Sequence, residues 1–209
     1  MNRQSVMLVA LVLGGFVSQL PVVGEFFIYD RSAIQDGELW RLFTCHLVHH
    51  SVSHLLGNIA VVGISGAMLL RAGHHALIVV GVAATILVTG PLLFASEPVM
   101  KRFCGLSGLG TLLLSQLIVT RLRVDRGGRT YWSILGVLML AKFGLELNLA
   151  EPLLSGADQF VPVPLAHLIG LVIGVGIGVV APRAVSGTEK ATLGLLEFGH
   201  RDSRRRADV

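Results

Sequence analysis

The sequence predicts an all-α membrane protein, a single bundle of six transmembrane helices with a long structured first outer loop. Three observations predict it. Of 209 residues, 53% are hydrophobic and 14% charged, with mean hydropathy +0.72, whereas soluble domains carry about a quarter charged residues. Apolar runs recur near 5–24, 54–71, 76–95, 105–120, 131–148 and 164–181, each close to the roughly 20 residues of a bilayer crossing. The charges also segregate: with the first segment cytoplasmic, the inner side holds Arg3, Arg71, Arg121, Arg123, Arg126, Arg129 and the basic tail. The outer side then holds Arg31, Arg41, Lys101 and Arg102 beside Glu25, Asp30, Asp36, Glu38, Glu97, Glu146, Glu151 and Asp158. Both termini are therefore expected inside. This composition excludes disordered, collagenous and nucleic-acid-binding classes, and the net charge of +4 matters less than where each basic residue lies.

The elements follow in order. The first run reads as a retained helix rather than a removed leader, because Val17-Ser18-Gln19-Leu20 offers no small-x-small cleavage site. The outer loop, about 25–53, carries amphipathic Ile28-Tyr29-Asp30 and Gly37-Glu38-Leu39-Trp40-Arg41, a pattern suited to an interfacial segment. The second run opens in a histidine-rich stretch, where His54 and Asn58 are four apart and share one helix face; interhelical hydrogen bonding would account for them equally. The fourth opens as Cys104-Gly105-Leu106-Ser107-Gly108. Glycines beside a serine leave its hydroxyl open, as a nucleophile requires, although small residues also make ordinary packing faces in membranes. That run is short, about 16 residues or roughly 24 Å, which recesses Ser107 and demands a polar path for water. The fifth holds Lys142, read as snorkelling to an interface. The sixth opens with Pro162-Val163-Pro164 and His167, and Gly170, Gly174 and Gly178 make a stripe on the histidine's face that lets a partner helix come close. Residues 182–209, with Arg204-Arg205-Arg206 near the end, form a basic cytoplasmic tail suited to anionic headgroups, or to a receptor that reads it as an address. The organisation is thus a membrane domain over 1–181 and a tail over 182–209.

Topology joins the polar residues. The second, fourth and sixth helices all run from outside to inside, so Asn58, Ser107 and His167 fall near the outer ends of their spans. A serine with a histidine base needs no metal and no cofactor: imidazole takes the hydroxyl proton and the oxygen attacks a carbonyl. His54, Asn58 and the Ser107 backbone N–H are the donors available to the oxyanion. No acid is placed to complete a triad, and a dyad is expected.

At this point the residues resemble the rhomboid family of intramembrane serine proteases, over nearly the whole chain. Trp40-Arg41, His49, His54, Asn58, Gly105-Leu106-Ser107-Gly108 and Ala166-His167-Leu168-Ile169-Gly170 reproduce the family's motifs in order. The resemblance implies Ser107 as nucleophile, His167 as general base and later acid, and His54 with Asn58 as oxyanion side chains. It also implies that Arg41 and His49 organise the first outer loop, with Trp40, Gly105, Gly108 and Gly170 as structural motif residues. The compact six-span form, with Tyr29-Asp30-Arg31 ahead of Gly37-Glu38-Leu39-Trp40-Arg41-Leu42, is similar to the rhombosortase subgroup. That similarity implies a bacterial inner-membrane enzyme whose active site opens to the periplasm. Its substrates would be exported proteins bearing a C-terminal Gly-Gly motif, an apolar helix and a basic tail, cleaved after small residues. One departure stands out: Thr111 lies four residues after the serine, where many rhomboids carry a tyrosine packed on the catalytic histidine.

Other readings remain open. A general rhomboid protease of other single-pass proteins would carry the same motifs. His46, His50 and His54, spaced four apart, would line one helix face and suit zinc, but no glutamate sits between them as in the His-Glu-x-x-His order. A non-catalytic relative that binds membrane clients would not need both Ser107 and His167, and a transporter would be expected to carry membrane-embedded acid pairs. Cys45 and Cys104 share the outer side, where a disulfide is permitted, and otherwise read as buried thiols.

Overall fold

The computed structural model describes residues 3–149 and 163–182; the tail from 183 onward, Glu151, Asp158 and Pro162 lie outside them. In chain order the described elements are α1 (Arg3–Val17), α2 (Pro21–Phe27), β1 (Tyr29–Asp30), α3 (Arg31–Gln35), α4 (Arg41–Thr44), α5 (Val52–Arg71), α6 (His75–Ser96), β2 (Arg102–Phe103), α7 (Ser107–Val124), α8 (Arg129–Leu149) and α9 (Pro164–Val180). By length and composition, Val52–Arg71, His75–Ser96 and Arg129–Asn148 are each able to cross a membrane, and Pro164–Val180 is apolar but shorter.

The first apolar run is not one helix. It breaks after Val17 and restarts at Pro21, because a proline fits the first turn of a helix while forcing the preceding residue to be extended; Leu20 has φ −69° and ψ 123°. Ser18 locks the break, its hydroxyl lying within donating distance of Gly15 O at 2.8 Å and Leu47 O at 2.5 Å.

The segment after α2 is ordered by polar groups. Asp30 caps α3, accepting from Ser32 N at 3.0 Å and Ala33 N at 3.2 Å. Arg31 caps the far end of α6, donating to Phe94 O at 2.6 Å and Glu97 O at 2.9 Å. Arg41 is buried and donates to Glu25 O at 2.6 Å, Ile28 O at 2.9 Å and the Glu38 carboxylate at 2.6 Å. A two-rung antiparallel pair, Tyr29 with Phe103 and Asp30 with Arg102, ties this segment to the chain just ahead of Ser107.

α7 is the central helix. Leu109, Leu112, Leu113, Leu117 and Ile118 form one cluster with Val62 and Leu69 of α5, Ile78 and Val82 of α6, and Trp132 of α8. Ser115, Gln116 and Thr120 are buried too, so α7 is enclosed by neighbouring helices rather than by lipid, which explains how a helix with this polar content is held there. It runs on to Val124, with Arg121 and Arg123 in its last turn, where basic side chains complement the helix dipole. The glycine stripe of α9 meets α7. A Cβ added at Gly170, Gly174 or Gly178 would lie 2.1 Å from Gly108 O, 2.1 Å from Ser115 Oγ and 2.8 Å from Val119 Cβ, so only glycine permits this approach. Arg123 closes the pair by donating to Gly178 O at 2.7 Å and Ala181 O at 2.8 Å.

Candidate functional site

The starts of α5, α7 and α9 gather at one end of the bundle, and the turn before α7 is built to present Ser107. Gly105 has φ +127°, a conformation that side-chain-bearing residues rarely adopt. Its N–H donates to Cys45 O at 3.1 Å. The next amide, Leu106 N–H, donates to His49 Nε2 at 3.3 Å, while His49 Nδ1 lies 3.1 Å from Leu47 O. An amide nitrogen only donates, so Nε2 is the bare nitrogen and Nδ1 carries the hydrogen to Leu47. His49 is therefore a neutral strut between the outer loop and the serine turn. Burial, helped by nearby His54 and His50, lowers its pKa to about 4 against the Leu47 hydrogen bond.

His54 occupies the first turn of α5, whose cap is the Ser51 hydroxyl accepting His54 N–H at 3.2 Å. A Cβ at Gly105 would lie 3.4 Å from His54 Cε1 and 3.8 Å from Ser107 Oγ, so Gly105 is the floor that both groups share. The His54 ring also packs edge-on to His49 at 5.5 Å and parallel to His50 at 6.2 Å. Asn58, one turn further along α5, is buried, and its Nδ2 has no hydrogen-bond partner among the described residues. An unpaired buried donor is costly.

His167 lies in the first turn of α9. The turns of Ser107 and His167 are in backbone contact, since a Cβ at Gly108 would lie 3.0 Å from Ala166 O. The bonds among described residues do not include one between Ser107 Oγ and His167; such bonds are often long before substrate binds. Thr111 donates to Ser107 O at 2.9 Å. A small cleft opens between α7, α8 and α9, and Thr111, Lys142, Phe143, Glu146 and His167 line it.

The sequence reading missed Glu146. The charge segregation predicts it in an outer loop, yet it lies within α8, 4% exposed. One of its oxygens is 3.2 Å from His167 Nδ1 and the other pairs with Lys142. An acid therefore does reach the histidine, and Lys142 has an ion-pair partner one turn away rather than snorkelling alone. The signal was present: a lysine and a glutamate four apart in an apolar run are a default site for function.

The remaining polar and motif residues fall as follows. The helical face needed to align His46, His50 and His54 does not form, because the chain leaves helix over 48–51. His46 is wholly buried edge-on to Phe103, and His50 Nε2 lies 3.0 Å from Cys104 Sγ. Cys45 and Cys104 are free. Burial pushes the Cys45 thiol up to about 12 and raises Cys104 likewise, so neither is a nucleophile at neutral pH. Trp40 is remote from the serine, stacked on Phe26 at 5.2 Å with Nε1 donating to Phe26 O.

A family model described as Rhomboid domain matches residues 36–184. No curated protein matches the chain.

Proposed function

The chain belongs to the rhomboid family of intramembrane serine proteases, and from that membership and the geometry above we propose that it cleaves a peptide bond in or near a substrate's transmembrane segment through Ser107 and His167. The observation that carries the reading is the meeting of three helix starts: Gly105 brings Ser107 Oγ and His54 within 4 Å of one point, and Gly108 brings the serine turn against Ala166, the neighbour of His167.

The chemistry follows from those positions. His167 takes the Ser107 proton as the oxygen attacks the scissile carbonyl, then returns it to the leaving amine. The oxyanion is met by His54, by the unpaired Asn58 amide and by the Ser107 backbone N–H at the start of α7, where the helix dipole also favours negative charge. Water then releases the acyl-enzyme. A substrate helix must unwind locally first, because a carbonyl inside a regular helix is shielded and already bonded.

The finer reading is a rhombosortase: six spans with both termini cytoplasmic, a protease domain over 1–181, a basic tail over 182–209, and residence in a bacterial inner membrane. Its active site opens to the periplasm, and its substrates end in Gly-Gly, an apolar helix and a basic tail. The motif order and the compact length support it. The test uses purified wild type, Ser107→Ala and His167→Ala in liposomes with a tagged substrate of that design. Cleavage by wild type and by neither variant is expected. Unchanged cleavage by Ser107→Ala would sink the serine mechanism, while serine-probe labelling without cleavage would overturn only the substrate.

A further inference from the structure

An ionised carboxylate in apolar surroundings is costly unless it is paired. Glu146 is the most deeply buried acid at the cleft, its side chain 5% exposed, and its two oxygens have different partners. Lys142, 39% exposed, holds one oxygen from the open side. The second has no hydrogen-bond partner among the described residues and lies 3.2 Å from His167 Nδ1. A self-sufficient surface pair would not place its carboxylate on the inner side and aim the spare oxygen at an imidazole.

We propose that Glu146 is the positioning residue of His167, keeping the proton on Nδ1 so that Nε2 is the nitrogen left to take the proton of Ser107. This rests on the serine–histidine reading and adds a third member to it. It also answers the departure at Thr111. With a small hydroxyl residue there, bonded to the Ser107 carbonyl, α7 presents no ring to His167, and the orientation of the imidazole comes from α8 instead. The charge on Glu146 further stabilises the imidazolium formed when Ser107 gives up its proton.

The charged and titratable groups facing His167 come from two elements. α8 supplies Glu146 and Lys142, and α5 supplies His54. α7 faces it with Ser107 and Thr111, which do not titrate. α6 touches α9 through Gly81 and Ile177, and its own His75 sits at the opposite end of the bundle from His167.

A fluorophosphonate probe tests this without a known substrate. On labelling, a Ser107 Oγ–P bond forms as the P–F bond breaks, and the hydroxyl proton passes through His167 and leaves with fluoride. The second-order labelling rate is measured on the full chain in liposomes from about pH 5 to 9, across the histidine range, for wild type, Ser107→Ala, Glu146→Gln, Glu146→Asp and Lys142→Met. Wild type is labelled and Ser107→Ala is blank. Glu146→Gln slows labelling at least about tenfold, within the ~10⁴-fold that a positioned acid–base group is worth. Without the carboxylate the imidazolium loses its neighbouring negative charge, so the acid limb of the rate profile moves to lower pH; Glu146→Asp recovers part of both changes. A Glu146→Gln rate and limb equal to wild type would overturn the proposal and leave the serine reading intact. A slowed rate with an unmoved limb overturns it too, as a structural defect only. Equal labelling of Ser107→Ala overturns the serine reading itself. Where Glu146→Gln fails to accumulate, Lys142→Met leaves the carboxylate and removes a nearby positive charge, so the acid limb moves up; an unmoved limb overturns the proposal.

Discussion

Gly170→Ala adds a single carbon at the closest point between α7 and α9. That carbon would lie 2.1 Å from Gly108 O and 3.1 Å from Leu112 N, and both are backbone atoms with no flexible end to swing aside. An ordinary carbon–oxygen contact is about 3.3 Å, so α9 must retreat by about 1 Å. Gly108 follows Ser107 directly and Gly170 is one turn beyond His167, so the retreat separates the reacting pair by a similar amount. A misplacement of about 1 Å can cost ~10²-fold in rate. Overpacking costs about 1–3 kcal/mol of stability, of which alanine's better helix propensity returns about 1. Gly176 is the internal control: it lies on the same helix, and a Cβ there meets nothing within 4 Å. The assay is the fluorophosphonate labelling rate together with unfolding in detergent. Gly170→Ala is expected to label about a hundredfold more slowly and to unfold more easily, while Gly176→Ala labels normally and is slightly stabilised. Normal labelling by Gly170→Ala, or equal damage from both variants, would refute the steric argument.

Acid should loosen the outer loop before it reaches the helices. His46 and His49 have folded pKa values lowered from 6.5 to about 4, chiefly by burial. Between those values the unfolded chain binds protons that the folded chain refuses. The stability is thus complete above pH 6.5 and is lost as pH falls toward 4, by about 3 kcal/mol for each histidine. Unfolding free energy measured against pH checks this, and a flat profile over that window contradicts it. The thiols give a second readout: Cys45 and Cys104 are 0% and 2% exposed, so a maleimide should leave the folded enzyme unlabelled and fully active and modify both thiols after denaturation in SDS. Rapid inactivation of the folded enzyme would show that the serine turn opens far more than its hydrogen bonds allow.

The parts of the site legible in the sequence were those marked by residue type against an apolar background. Ser107, His167, His54 and Asn58 stand out because polar groups in such runs are costly, and the glycine stripe of α9 could be read because glycines recurring on one face imply a close neighbour. What escaped depended on contacts between distant segments. The two-rung pairing of Tyr29–Asp30 with Arg102–Phe103 is too short to leave an alternating pattern. The break at Ser18–Leu20 was signalled by Pro21, but the apolar residues on both sides masked it. Glu146 was misassigned because charge was counted by side of the membrane; a buried carboxylate reveals its partner only when α8 is laid against α9.

The enclosure of α7 also bears on the order in which the chain is made. Alone in hydrocarbon, its Ser115, Gln116 and Thr120 side chains would face lipid that can neither donate nor accept a hydrogen bond, and the buried Gln116 side chain has no hydrogen-bond partner among the described residues. α5 and α6 are synthesised earlier and can receive α7 as it emerges. The face from Gly108 to Val119 that α9 covers waits until α9 itself has been made. The last of the described helices is thus the one that carries His167 and the one that covers the central helix, so the proposed base and the mature core arrive in the same event.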